Sequence, residues 1–196
     1  MALVNITFRV WDFKHIMKTC GSIIDPKNPR EMLQRIRLRC EGSICTAHSA
    51  TGYQFARCLV PCILNGADMI DTTMLPVKVP KGTELVQLTL TDGTVTVLFY
   101  DVTSNLIQTI VQHLSPGEYM DIDRVEKNAL ENIDQYNSGA GQYSICFNRK
   151  YLIAALNALD SEGVRFNFAS PVNPAMIRPI HDSQLDTAEF VLPVRS

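Results

Sequence analysis

The chain of 196 residues is poor in charge: Asp, Glu, Lys and Arg make up 19%, and 18 basic against 20 acidic residues leave a formal net charge of −2. That balance excludes a protein that holds nucleic acid by bulk positive charge, while leaving room for one basic face. Also missing is any apolar run of the ~18 residues that would span a bilayer. The start, Met1-Ala2-Leu3-Val4-Asn5-Ile6-Thr7-Phe8-Arg9, lacks the charged-then-apolar order of a secretory signal. We therefore expect a cytoplasmic protein with no membrane partner. There is no Walker loop, no dinucleotide fingerprint and no paired-carboxylate pattern, and none of His15, His48, His113 and His181 sits in a catalytic motif. Nucleotide hydrolysis, hydride transfer and nucleophilic catalysis are not expected, and no catalytic residue or cofactor is assigned.

What is present suffices for a folded core: 46% of the residues are hydrophobic, enough to need neither disulfide nor metal support at this length. The six cysteines are scattered from Cys20 to Cys146, which argues for reduced thiols. Cys40, Cys45, His48, Cys58 and Cys62 supply zinc-type ligands within a short stretch. Without a Cys-x-x-Cys pair, and with strand alternation expected to send Cys40 and Cys45 to different environments, small buried thiols are the better reading and no metal site is assigned.

Leu3 to Val10 reads as a strand, after which Asp12 is expected to cap a helix with Phe13, Ile16, Met17, Cys20 and Ile24 on one face and Lys14 and Lys18 on the other. Beyond Pro26, Asn28 and Pro29, apolar Ile36, Leu38 and Cys40 alternate with Arg35, Arg37 and Arg39, the pattern of a strand with one basic face. Further strands are expected at Ile44 to Ser49 and Tyr53 to Leu64, giving the order βαβββ. A second group is expected at Met74 to Val79, Leu85 to Leu90, Thr94 to Tyr100 and Leu106 to Gln112, with Asp92-Gly93 as a hairpin signal. From Pro116 to Gly141 the chain is polar, and Ser138-Gly139-Ala140-Gly141 has connector composition.

The last third repeats the opening order. A strand from Tyr143 to Phe147 leads to Asn148, the expected cap of a helix with Leu152, Ala155, Leu156 and Leu159 on one face. Strands at Val164 to Phe168, Ala175 to Ile180 and Ala188 to Val194 follow. A βαβββ unit near each end points to an internal repeat.

The segments Phe147-Asn148-Arg149-Lys150-Tyr151-Leu152, Ala154 to Arg165, Ser170 to Pro179 and the terminal Val191-Leu192-Pro193-Val194-Arg195 resemble the final domain of the bacterial DNA polymerase III beta subunit, the sliding clamp. Gly117 to Val125 is similar to the segment with which an earlier clamp domain ends. The fold this implies is α+β and DNA-clamp-like, with βαβββ units, antiparallel sheets and few helices. Clamp domains carry two βαβββ units, and here the middle group has lost its helix, since Pro76 to Gly82 is too short for one. The expected organisation is a clamp-like domain over 1–122, a linker over 123–142, and one βαβββ unit over 143–196.

The function implied is a noncatalytic, sliding-clamp-like protein that encircles or lies along double-stranded DNA and tethers replication or repair proteins to it. The alternative is a clamp-derived peptide-binding adaptor or regulator that does not encircle DNA. Because helices line the hole of a clamp, Lys14, Lys18, Arg149 and Lys150 are expected to face the duplex; Arg35, Arg37 and Arg39 are read either as a phosphate track or as ordinary ion pairs. Clamps accept short client peptides in a groove lined by the C-terminal tail, which implies binding roles for Phe190, Leu192, Pro193 and Val194. Alternation puts Phe190, Leu192 and Val194 on one face, which without the resemblance reads as core packing. The implied partners are DNA, clamp-binding peptides of polymerase or repair proteins, further copies of the chain in a homo-oligomer, and a clamp loader.

Overall fold

Regular alternation of buried and exposed residues builds most of the molecule from antiparallel strands. A computed structural model of the chain describes residues 3–114, 119–124, 127, 145–159, 161–180 and 186–194. The first strand, β1 (Val4–Arg9), turns Ile6 and Phe8 inward and runs directly into α1 (Val10–Ser22). The helix starts before Asp12: the N-cap position is Arg9, without a side-chain cap, and Asp12 lies in the first turn, where its carboxylate meets the positive end of the helix dipole. Phe13, Ile16 and Cys20 form the buried stripe, while Lys14 and Lys18 are exposed.

A meander of β2 (Ile36–Glu41), β3 (Ile44–Ala50) and β4 (Gln54–Pro61) follows. The hairpin between β2 and β3 sets Cys40 directly opposite Cys45, and both are buried. The expectation that alternation separates them fails, because residues opposite each other across a two-strand ladder share a face. The predicted single strand from Tyr53 to Leu64 breaks at Cys62, whose amide bonds back to the Ser43 carbonyl, and the chain crosses to the other sheet as β5 (Ile63–Asn65). Gly66, at φ +91°, makes the return; a Cβ there would lie 2.3 Å from the Leu3 carbonyl oxygen. The next strand, β6, is Met69–Met74 rather than Met74 to Val79. Residues 75–84 contain no helix; instead Val77 and Val79 of this irregular stretch pack against the core. Then come β7 (Leu85–Thr91), β8 (Thr94–Tyr100), joined through Gly93 at φ +77°, and β9 (Leu106–His113).

In the last third, α2 (Arg149–Ala158) is capped by Asn148, whose Oδ1 accepts from the Lys150 amide at 3.0 Å. It precedes β10 (Val164–Asn167), β11 (Ala175–Pro179) and β12 (Ala188–Val191). Of the strand expected at Tyr143 to Phe147, Tyr143 and Ser144 lie outside the described residues, and Phe147 makes a single bridge to Pro193.

The strands form two sheets, ordered β5-β1-β7-β8-β9 and β10-β11-β12-β4-β3-β2-β6. An internal two-fold relation is visible in this order. β1 leads through α1 into β2, β3 and β4 but sits beside β7; β6 leads into β7, β8 and β9 but sits beside β2. Each unit lends its first strand to the other's sheet, and β4 and β9 end the two four-strand sets in equivalent places. On β4 the ladder continues, because β12 pairs with it antiparallel from Ala188 opposite Arg57 to Val191 opposite Gln54. The sheet of the C-terminal unit is thus covered on that side by the N-terminal unit.

The largest apolar cluster lies around α1 and joins both sheets: the Phe13 ring is 5.8 Å from Phe8 and 6.3 Å from Phe99, while Cys20 packs on Ala56 and Cys58. Ala155 and Leu159 of α2 pack on Ile177 and Val191. Across the sheet, Phe55, Met176, Ala188 and Phe190 form a third cluster with Ile122.

Candidate functional site

The β4–β12 joint brings two phenylalanines face to face. Phe55 and Phe190 are register partners on neighbouring strands, with ring centroids 4.9 Å apart. Beyond Val191 the tail stays attached, as the Leu192 amide donates to the Tyr53 carbonyl at 3.0 Å. Together with Gly52, Met120 and Pro174 these residues enclose a groove of about 200 Å³ lined by Tyr53, Gln54, Phe55, Phe190 and Leu192. It has the volume of one or two aliphatic side chains and apolar walls, a shape suited to the apolar anchors of an extended peptide.

The four tail residues singled out in the sequence divide here. Leu192 is half-buried and lines the groove. Phe190 also lines it but is only 2% exposed, so the core-packing interpretation holds for most of its ring. Pro193 and Val194 are not part of the lining: Pro193 bridges Phe147, and the Val194 amide donates to the Cys146 carbonyl at 2.7 Å. At Pro193, which has no N–H to donate, the tail turns to a different neighbour. Met120, Phe55, Tyr53 and Pro174 complete the groove and carry no site assignment in the sequence reading. They come from three separate stretches of chain, and only the cross-strand register brings them together. Tyr53 further stacks on Tyr151 of α2 at 5.4 Å, and Gln54 Nε2 donates to the Tyr151 carbonyl at 2.7 Å, fixing the groove's floor to the second helix.

Both helices lie on one face of the larger sheet and touch each other: α1 packs on β3 and β4, α2 on β4 and β12. Lys14, Lys18, Arg149 and Lys150 are exposed on them. Lys150 lines a cleft of about 330 Å³ with Ser22 to Pro26 at the end of α1, and Lys14 stands over the Trp11 ring, 5.2 Å from its centroid. Trp11, 74% exposed, belongs to the same helix surface. The arginine strand behaves differently. Arg37 is bidentate to Asp71, with Nε–Oδ1 3.0 Å and Nη2–Oδ2 2.6 Å, Arg39 reaches Asp123 at 3.4 Å, and buried Arg35 holds Glu31 at 3.0 Å. Ion pairing, not a phosphate track, is what this face shows.

Two buried titratable groups flank the joint on opposite sides of the sheet. His48 stacks on Phe55 at 5.8 Å, and burial, reinforced by Arg37, lowers its pKa to about 4. Glu189, fully buried opposite Ala56, has no hydrogen-bond partner for either carboxylate oxygen among the described residues. Burial raises its pKa well above the ordinary carboxyl range, with a further contribution from Cys20. Cys20, Cys40, Cys45, Cys58 and Cys62 are buried and Cys146 is exposed, all as free thiols; burial pushes the Cys20 thiol up. Among the described residues no group of three or more His, Cys, Asp and Glu is placed to hold a metal ion, and no helix is long and apolar enough to cross a membrane.

Residues 120–195 match the family described as DNA polymerase III beta subunit, C-terminal domain. The beta sliding clamp of Staphylococcus aureus is 30% identical over 66 residues, 34% of this chain and 17% of that protein's length. Among solved structures, the DNA polymerase sliding clamp from Pseudomonas aeruginosa superposes with a TM-score of 0.73 at 14% identity, over 100% of this chain and 68% of the other. The Bacillus subtilis sliding clamp gives 0.72 at 16% identity, covering 98% and 64%. The beta chain of DNA polymerase III from Streptococcus pneumoniae gives 0.73 at 17% identity, covering 97% and 64%. The α+β, clamp-like fold expected from the sequence is the fold observed.

Proposed function

We propose that the chain, whose residues 120–195 match the family described as DNA polymerase III beta subunit, C-terminal domain, is a noncatalytic tether that holds client proteins on double-stranded DNA. The observation that carries this reading is the groove at the β4–β12 joint, whose walls come from the tail and from β4 of the same chain. A leucine or phenylalanine of an extended client peptide fills it, as Leu192, Met120 and Pro174 supply apolar contact. On the other face of the sheet, Lys14, Lys18, Arg149 and Lys150 meet phosphates. Such contacts carry no base sequence information and suit a protein that slides. A net charge of −2 fits a topological hold, which needs a locally positive surface rather than high site affinity.

In this reading the tether encircles DNA as a homo-oligomer, opened by a loader where the ring is closed. One observation favours the second reading, a peptide-binding adaptor that leaves DNA free: the groove is complete within a single chain and needs no ring. The two are separated by recruitment. A fluorescent clamp-binding peptide mixed with nicked circular DNA should co-migrate with the circle only when the protein is present. Peptide bound by the protein but never recruited to the circle would establish the adaptor, and no peptide binding would remove both.

A further inference from the structure

Trp11, 74% exposed, serves neither the core nor the peptide groove. On a helix, residues 11, 14, 15, 18 and 22 fall along one stripe, and Trp11, Lys14, Lys18 and Ser22 of α1 are exposed there. The single acid of the helix, Asp12, stands about 100° round from Trp11, while Val10, Phe13, Ile16 and Cys20 face the core. Trp11 is thus the one exposed apolar side chain of α1, set beside cations. The Lys14 ammonium, 5.2 Å from the ring centroid, takes one face of the indole. The opposite face is open to a ligand.

The stripe runs into a cleft. From Trp11 to Ser22 the helix rises about 16 Å, the length of roughly five stacked nucleotides at about 3.4 Å each. Ser22 lines the cleft of about 330 Å³ between the end of α1 and the start of α2, together with Asn28, Thr51, Tyr53, Lys150 and Tyr151 and one acid, Asp25. Tyr53 is 58% exposed and stacks on Tyr151 with the rings 11° from parallel. Aromatic faces at both ends of a helix face that carries lysines combine the two features that hold an unpaired strand, platforms for its bases and cations for its backbone. A membrane-bound helix would need a broad exposed apolar face, and α1 keeps its apolar face buried.

We propose that the α1 face from Trp11 to Ser22, with the cleft beyond it, is a stacking track for a single unpaired strand of DNA, whose bases lie on Trp11 and against Tyr53 while its phosphates meet Lys14 and Lys150. Phosphate contacts alone do not distinguish paired from unpaired DNA. Stacking does, because the bases of a duplex already cover one another's faces. The track therefore adds a hold wherever a duplex gives way to a single strand. The proposal deepens the DNA-facing part of the proposed function and rests on that reading only in taking this side of the sheet as the nucleic-acid side.

Trp11 is the sole tryptophan of the chain, so its fluorescence reports this face alone. The titrants are an oligo-dT of about eight nucleotides, a strand of the same length with every base removed, and a blunt-ended duplex. Oligo-dT should quench Trp11 and bind at least about fivefold tighter than the abasic strand, the least that one stacked base contributes. With a labelled oligo-dT followed by anisotropy, Trp11→Ala should weaken binding by about fivefold or more, Trp11→Phe should keep most of the affinity, and Tyr53→Ala at the cleft end should weaken it by a similar factor. Duplex affinity and thermal stability should be unchanged in Trp11→Ala. Equal affinity for oligo-dT and the abasic strand, unchanged oligo-dT binding by Trp11→Ala, or quenching by a clamp-binding peptide in place of oligo-dT would each overturn the track. Failure of the duplex contacts themselves would show separately, as duplex affinity that is indifferent to salt.

Discussion

Leu192→Ala separates binding from folding at the groove, and the contrast with Phe190→Ala supplies the internal standard. Leu192 is half-buried in the free protein, so much of its side chain remains to be covered by a ligand. Fully burying a leucine is worth about 1.5–3 kcal/mol. Covering the exposed half therefore contributes on the order of 0.8–1.5 kcal/mol to a bound peptide, roughly a four- to tenfold change in Kd. The stability cost should be small for the same reason. Phe190 lies within the core, 2% exposed and 4.9 Å from Phe55, where truncation to alanine costs about 3–5 kcal/mol. That is a large share of a typical domain's stability, so Phe190→Ala should lower the denaturation midpoint sharply, and any lost binding would not be specific. Calorimetry with a clamp-binding peptide, paired with urea unfolding, is the assay. The reasoning is refuted if folded Leu192→Ala binds as tightly as the unmodified protein, or if it loses as much stability as Phe190→Ala.

Three further outcomes follow from the charges. Reversing Lys14, Lys18, Arg149 and Lys150 together should abolish DNA association or reduce the slope of log K against log salt by roughly 3 to 4, about 0.9 per lost phosphate contact; an unchanged slope would clear these residues of the role. Glu189 has a raised pKa in the folded state, so its carboxyl favours folding while protonated and costs stability as pH rises above its unfolded value of 4.5. Glu189→Gln should be more stable than the unmodified protein at pH 8, with a gap that closes towards pH 4.5, in denaturant titrations at each pH. His48 has its pKa lowered from 6.5 to about 4, so the protein should lose about 3 kcal/mol as pH falls through that window, and His48→Gln should remove that loss.

The order of elements was legible because it rests on short-range signals. Period-2 alternation marks β2, β7 and β8, Asn148 marks the start of α2, and Asp92-Gly93 marks a hairpin. The misplacements have local causes. Asp12 has the chemistry of a cap, but the strand passes straight into the helix and leaves it in the first turn. Cys62 looks like the interior of one long strand, yet it marks the crossing between two sheets. Met69 to Met74 carries weak alternation because β6 is an outer strand, exposed at Met69 and Asp71.

The groove was half-visible. Residues of the tail follow from family resemblance, but Tyr53, Phe55, Met120 and Pro174 are distant in sequence, and nothing in their spacing announces that β12 will pair with β4. Cys40 and Cys45 make the same point: register across a ladder, not periodicity along one strand, decides which side chains meet.

The central claim, a clamp-like hold on DNA, is tested most directly by topology. Protein assembled on nicked circular DNA, with a loader supplied if assembly needs one, is passed through a sizing column at elevated salt before and after a restriction enzyme linearises the circle. The account predicts retention on the circle and loss once ends are available. Equal retention on both forms, or retention on neither, would contradict it.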